Sequence, residues 1–232
     1  MDTRPLDYVE IARAESERGV LVLRERRAAG GPAALELRAN GAFVMDTVEV
    51  STERALASAA LALVEHPRAV VVGGLGLGFT MHEVLADPRV ELCVVVEVEE
   101  ALVGWMRDGT IRHGPGLLAD QRVHVVIADV AVALAEARPA TYDLVLLDVD
   151  NGPGYLVHES NVALYEPSAL GAARAVLRPG GALAIWSADE APDLAAALDT
   201  VFGAGSAEAL PLEVLLQGRE ERYWLYVARV RD

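Results

Sequence analysis

Six residues, Gly73-Gly74-Leu75-Gly76-Leu77-Gly78, follow directly on the apolar stretch Ala69-Val70-Val71-Val72 and limit what this chain can fold into. Glycine lacks a Cβ, so the backbone can turn tightly here and approach a ligand closely. The helix expected from Phe79 onward presents its free N–H groups to the same place. Glu97 comes 19 residues after Gly78, at the end of the apolar run Val94-Val95-Val96, where a carboxylate can accept hydrogen bonds from both hydroxyls of a ribose. Strand, turn, helix, strand and acid thus appear in the order of a nucleotide-binding crossover. The plainer alternative is a loop tightened by glycines, with Glu97 facing solvent.

The rest of the chain fits that first unit. After His66-Pro67, apolar runs at 69–73, 90–96, 122–128 and 143–148 alternate with segments of helical period, the pattern of strands buried on both faces of a parallel sheet. Arg178-Pro179-Gly180-Gly181 ends a helix over 160–177 and precedes a fifth strand at 182–186. A helix over 192–202 follows, then strands over 210–217 and 222–230. Their short connection, Gly218-Arg219-Glu220-Glu221, makes them an antiparallel hairpin. Before residue 50 the texture differs. Short alternating runs at 19–25, 33–38 and 41–46, divided by Gly30-Gly31-Pro32 and Asn40-Gly41, read as an antiparallel meander. Ser51 or Thr52 is expected to cap a helix running to about residue 65. The expected fold is α/β: a Rossmann-like, doubly wound, mostly parallel sheet with an antiparallel C-terminal hairpin over 51–232, and a small β appendage over 1–50.

Composition narrows the class of ligand. A chain of 232 residues, 53% hydrophobic and 24% charged, can bury one full core and reads as a soluble globular protein. Its apolar stretches are too short to cross a bilayer, and Met1-Asp2-Thr3-Arg4-Pro5 lacks a basic segment followed by an apolar one. A cytoplasmic protein is expected. Cys93 is the only cysteine, so no intrachain disulfide or cysteine-based metal site forms; a buried inert thiol and no metal are expected. The formal charge of −15 comes with no basic stripe, which excludes a partner gripped through nucleic-acid phosphates. An acidic field favours the approach of cations, or serves solubility alone.

Ala128-Asp129-Val130 closes the next strand and narrows the nucleotide to an adenosyl group. Asp129 can accept from the adenine amino group while apolar neighbours such as Val98 and Val130 sandwich the ring; alternatively, Asp129 caps the helix that follows.

From about residue 39 to 187 the chain resembles the spermidine synthase family, a branch of the class I S-adenosylmethionine-dependent methyltransferase fold. The matching stretches are His66-Pro67, the glycine turn, Val96-Glu97-Val98, Ala128-Asp129, the run from Tyr142 to Asp148, Gly152-Pro153, Leu164-Tyr165 and the run from Leu177 to Gly181. The resemblance implies S-adenosylmethionine or its decarboxylated form as cofactor, held by Gly73, Gly74, Gly76, Gly78, Glu97, Val98, Asp129 and Val130. It also implies a small-molecule acceptor, no nucleic-acid or membrane partner, and a homodimer, since the β-meander looks like the family's extra domain, which in relatives takes part in oligomer contacts.

The chain departs from that pattern in three places. Polyamine synthases resembling it carry an aspartate at the fourth place of the glycine turn, which holds the amine of the decarboxylated cofactor; here that place is Gly76. Their second acidic motif is shortened to Asp148-Val149-Asp150-Asn151-Gly152-Pro153. Their Tyr-Gln pair has no clear counterpart in Ser51-Thr52-Glu53-Arg54-Ala55. A carboxylate in the turn would repel the methionine carboxylate of intact S-adenosylmethionine, and its absence points to that cofactor and to methyl transfer. Two alternatives stay open: an aminopropyltransferase that has rebuilt its amine site from acids such as Asp150 and Glu159, and a nucleoside-binding scaffold without catalysis.

In open α/β sheets ligands sit beyond the carboxyl ends of the strands, where Glu97, Asp129 and Asp148 are expected to converge. In-line methyl transfer needs alignment and a group to take up a proton. Asp148 is the expected base or orienting group, with Asp150 as a second catalytic acid and Asn151 beside it on the acceptor. Alternatively, the two aspartates only order the loop. Gly154 to Glu159 reads as a lid that turns Tyr155 and His158 toward the substrate, although a histidine there is also an ordinary solvated group. Tyr165, Trp105, Trp186 and Trp224 are assigned to packing.

Overall fold

The computed structural model describes residues 7–27, 33–149, 152–216 and 219–231. Two sheets organise them. The first has four antiparallel strands in sequence order: β1 (Asp7–Ser16), β2 (Gly19–Arg27), β3 (Ala34–Ala39) and β4 (Ala42–Asp46). Asn40, at φ 51°, and Gly41, at φ 80°, make the tight turn between β3 and β4 that the Asn-Gly step predicts. Strand β1 has no counterpart among the sequence expectations. As an edge strand exposed along most of its length, it lacks the alternation that marks a half-buried strand. The Gly30-Gly31-Pro32 turn expected between β2 and β3 lies outside the described residues.

Helix α1 (Ser51–Ala62) leads from this sheet into the second and ends earlier than expected. Neither Ser51 nor Thr52 caps it. Val50 holds the cap position, while the Ser51 hydroxyl donates to Glu49 and the Thr52 hydroxyl to Glu53. Next come β5 (Ala69–Gly73), α2 (Phe79–Ala86), β6 (Leu92–Glu97), α3 (Glu100–Asp108), a short α4 (Gly114–Leu118), β7 (Val123–Ile127), α5 (Val130–Glu136) and β8 (Tyr142–Leu147). The helix expected over 160–177 is two elements. A 3-10 helix (Glu159–Tyr165) and α6 (Pro167–Val176) meet at Glu166, whose extended backbone is what a residue before proline adopts. The last elements are β9 (Leu177–Ser187), α7 (Pro192–Phe202), β10 (Ala207–Leu216) and β11 (Arg219–Arg229).

The second sheet runs β10-β11-β9-β8-β5-β6-β7. The pairs from β7 through β9 are parallel, and β11 runs antiparallel to both β9 and β10. Strand β9 starts before the expected fifth strand: Tyr142 pairs with Leu177 but Leu144 with Ala182, so residues 178–181 bulge out of register. All five residues of β5 are buried, as the unbroken Ala-Val-Val-Val-Gly run requires. The chain goes to one side of β5 for β6 and to the other for β8, and this reversal opens a crevice at the carboxyl ends of the strands. The two sheets share a core. Leu21, Leu23 and Leu37 of the small sheet belong to the same buried cluster as Leu56, Val72, Leu77 and Met81. The buried acids of the small sheet pair with arginines: Glu36 with Arg24 and Arg38, Asp46 with Arg26, Glu25 with Arg27.

Candidate active site

The glycine turn takes its shape from three left-handed residues, Gly74 (φ 95°), Gly76 (φ 49°) and Gly78 (φ 85°), conformations that side chains disfavour. At Gly74 space is also lacking, since a Cβ would lie 2.2 Å from the Asp148 carbonyl oxygen. Hydrogen bonds tie the turn to both neighbouring strands: Gly74 N–H donates to the Val96 carbonyl (2.9 Å) and Asp148 N–H to the Gly73 carbonyl (2.8 Å). Gly78 precedes α2 as its left-handed N-cap. The neighbouring Leu77 is held by His113, whose Nε2 lies 2.7 Å from the Leu77 carbonyl oxygen.

Glu97 is 7% exposed. One of its carboxylate oxygens accepts from Leu75 N–H (2.9 Å) and the other from Glu99 N–H (2.8 Å). The acid therefore fastens the glycine turn to the end of β6, and each oxygen keeps a lone pair for a further donor. Burial raises its pKa, and the two backbone N–H groups work against that rise.

A cavity of about 390 Å³ opens over this end of the sheet and beneath the small sheet. Gly74, Leu75, Gly76, Glu97, Val98, Asp129, Val130, Asp148 and His158 all line it. Gly73 and Gly78 do not; they shape the turn from behind. Asp129 caps α5, accepting from Ala131 N–H at 2.8 Å, so the helix-cap alternative is realised while the residue also borders the cavity. His158 caps the 3-10 helix: its Nδ1 accepts from Ser160 N–H (3.3 Å) and lies 2.8 Å from the Ser160 hydroxyl. Two expectations do not come together here. Tyr155 is 52% exposed and off the cavity wall, because the turn closed by Tyr155 N–H on the Gly152 carbonyl sends it outward. Glu159 is exposed and likewise off the wall. Asp150 and Asn151 lie outside the described residues.

Asp148 follows directly on β8 and faces the cavity in part, with the Thr80 hydroxyl donating to its Oδ2. Burial raises its pKa and the Thr80 hydrogen bond offsets part of the rise. Around it stand residues that the sequence patterns did not assign to the site. Glu49 and Glu53 line the same wall, as does a stacked pair, Trp186 and Tyr223, with ring centroids 4.8 Å apart. Burial pushes Glu53 up to about 7; the Thr52 hydroxyl counters this, and the nearby charges of Asp148 and Glu49 push it further up. Tyr223 is raised by burial and by the neighbouring Glu221, Glu49 and Glu53. Trp186, which the sequence assigns to packing, is buried in the core and lines the cavity as well. At Gly76, where the turn carries no carboxylate, the side-chain space is occupied by Met45. A Cβ there would lie 2.7 Å from Met45 Sδ, and the same sulfur accepts from Leu77 N–H (3.1 Å).

Among the described residues no group of His, Cys, Asp and Glu forms a metal site, and no helix is long and apolar enough to cross a membrane. The assembled site is one cavity bordered by Glu97, Val98, Asp129 and Val130 and also by the acids Glu49, Glu53 and Asp148 and the rings of Trp186 and Tyr223.

Comparison with known proteins bears on that arrangement. The spermine/spermidine synthase domain matches residues 49–195. A polyamine aminopropyltransferase of Pseudomonas aeruginosa is 33% identical over 125 residues, covering 52% of this chain and 34% of that protein. A putrescine N-methyltransferase of Nicotiana tabacum is 31% identical over 124 residues, covering 52% of this chain and 31% of that protein. The chain thus spans about a third of the length of these relatives. The spermidine synthase of Thermotoga maritima superposes with a TM-score of 0.77 at 18% identity, over 96% of this chain and 74% of that one. A spermidine synthase in complex with the transition-state analogue AdoDATO gives 0.78 at 18% identity, over 94% and 73%. At that identity the likeness is one of fold.

Proposed function

Because the chain belongs to the spermine/spermidine synthase family, we propose that it is an S-adenosylmethionine-dependent transferase acting on a polyamine-type amine, and that the group it transfers is methyl. The observation that carries the choice of group is the glycine turn. No residue from 73 to 78 is acidic, and the neutral thioether of Met45 occupies the side-chain space at Gly76. A turn without a carboxylate tolerates the methionine carboxylate of the intact cofactor, where an acid would repel it. The similarity to putrescine N-methyltransferases supports the same reading.

In this reading the ribose hydroxyls donate to the free lone pairs of Glu97, and the adenine lies between Val98 and Val130 with its amino group toward Asp129. The acceptor enters from the chamber side. Its neutral nitrogen attacks the methyl carbon in line; the N–C bond forms, the C–S bond breaks, and the electron pair leaves on sulfur as a thioether. Asp148 takes the proton from the methylated nitrogen. Its raised pKa makes it a better base near neutrality than an ordinary aspartate. The cofactor supplies the electrophile; the protein aligns, desolvates and removes the proton. The reading also has the protein working as a homodimer in a reducing cytoplasm.

Isothermal titration with S-adenosylmethionine and with its decarboxylated form tests the choice of cofactor. Tighter binding of the intact form is expected; clearly tighter binding of the decarboxylated form would overturn methyl transfer. Aminopropyl transfer is the second reading. Glu49 and Glu53 favour it, since acids on the α1 side of the chamber can hold the amine of a decarboxylated cofactor in place of an acid in the turn.

A further inference from the structure

The chamber that receives the acceptor holds more negative charge than its own protein neutralises. Glu49 precedes α1, Glu53 lies in its first turn, Asp148 follows β8, and all three line one cavity. The groups that act electrostatically on Glu53 are Asp148 and Glu49, and it acts in turn on Tyr223 of β11. All carry negative charge or none. The Thr52 hydroxyl donates to Glu53 Oε2 at 2.6 Å, and the Thr80 hydroxyl donates to Asp148. Among the described residues Glu49, Glu53 and Asp148 form no ion pair with an arginine, whereas the buried acids of the small sheet, Glu25, Glu36 and Asp46, each have at least one. Arg18, the arginine that lines this cavity, is engaged with Glu99 and Asn161; like charges that lack a counter-cation of their own in a half-buried chamber are costly, so either a proton or a bound cation must reside among them.

We propose that Glu53 is a specificity-determining residue of the acceptor site and works as a pair with Asp148. The empty chamber keeps one proton on the pair, and a cationic acceptor displaces it. This rests on the reading of the chamber as an amine site and deepens it. Once the proton has left, Glu53 stays ionised against the charged nitrogen of the acceptor. That leaves Asp148 free to receive the proton from the reacting nitrogen after methylation, so the two acids divide between them the work of holding and of accepting. The stacked Trp186 and Tyr223 rings form the apolar wall along which the carbon chain of such an acceptor lies.

The sequence carries a trace of this arrangement. The segment Ser51 to Ala55 lacks the Tyr-Gln pair of polyamine synthases and offers Glu53 instead. An acid in the first turn of a helix is so ordinary a feature that it draws no attention until the cavity shows where it points.

The test is titration of putrescine into the protein saturated with S-adenosylhomocysteine, at pH 8 and at pH 6, for the native chain and for Glu53→Gln. A proton with an affinity near pH 7 must leave before the amine binds, so native affinity should fall between pH 8 and pH 6 by about tenfold more than that of the variant. Glu53→Gln should also bind putrescine at least roughly tenfold more weakly at pH 8, with S-adenosylhomocysteine affinity unchanged. Equal pH dependence in the two proteins, with cofactor-product binding intact in both, overturns the pairing of Glu53 with Asp148. Binding of S-adenosylhomocysteine without any binding of putrescine overturns the amine site, and the pairing with it. Failure of the native chain to bind either molecule overturns the proposed function itself.

Discussion

At the scale of single residues, the site depends on a few atoms with no slack. Gly74 has both a left-handed backbone and the Asp148 carbonyl against the place of its missing side chain. Gly74→Ala should cost at least ~2 kcal/mol, read as a lower denaturant midpoint, and should abolish cofactor binding. Glu97 uses both oxygens on backbone N–H groups. Glu97→Gln puts an amide NH₂ against one of them and leaves a buried donor unpaired, at about 1–3 kcal/mol. Calorimetry should show S-adenosylhomocysteine binding weakened by roughly tenfold or more. For Asp148→Asn the expected signature differs: turnover down by about a hundredfold or more, with cofactor affinity nearly intact. Unchanged turnover would remove Asp148 from the mechanism. Glu97 and Asp148 were legible in the sequence because each ends an apolar run. Glu53 and Met45 were not, since the contacts that matter for them are made by residues far along the chain.

Among elements, the sequence revealed most where strands are buried on both faces. The run Val70-Val71-Val72 can hardly be anything but an inner strand, whereas the switch of direction at β5 is seen in its pairing with β6 on one side and β8 on the other. Elements stabilised mainly by their neighbours were hidden. Strand β1 is an exposed edge held by its pairing with β2, and β9 begins before its apolar run because residues 178–181 bulge. At the N-cap of α5 one side chain has two settings. Asp129 caps that helix and borders the cavity. Asp129→Ala should lower stability by ~1 kcal/mol in a denaturant titration, with a parallel loss of cofactor affinity. Loss of stability alone would leave Asp129 as a cap and nothing more.

At the scale of the whole molecule, acidity and burial combine into a pH dependence. Glu53, ordinarily near 4.5, is pushed up to about 7, and Glu97 and Asp148 shift in the same direction. A carboxyl whose pKa is higher folded than unfolded favours folding while it is protonated. That contribution is full below the unfolded value and is lost as pH rises through about 7. The denaturant midpoint should therefore be higher at pH 5 than at pH 8, and Glu53→Gln should narrow the gap. Cys93, buried and pushed up to about 12, should resist thiol reagents until the chain unfolds. We propose the boundary near residue 50 as a division of sequence pattern and not of stability, since Leu21, Leu23 and Leu37 complete the core that α1 and α2 begin. The cavity lies where these two parts meet, and the proposed transfer would draw on both. The most direct measurement is mass spectrometry of the product formed from putrescine with each form of the cofactor. A product heavier by one methylene, formed with S-adenosylmethionine and lost in Asp148→Asn, is the predicted result; a product carrying an aminopropyl group, formed only with the decarboxylated cofactor, would contradict it.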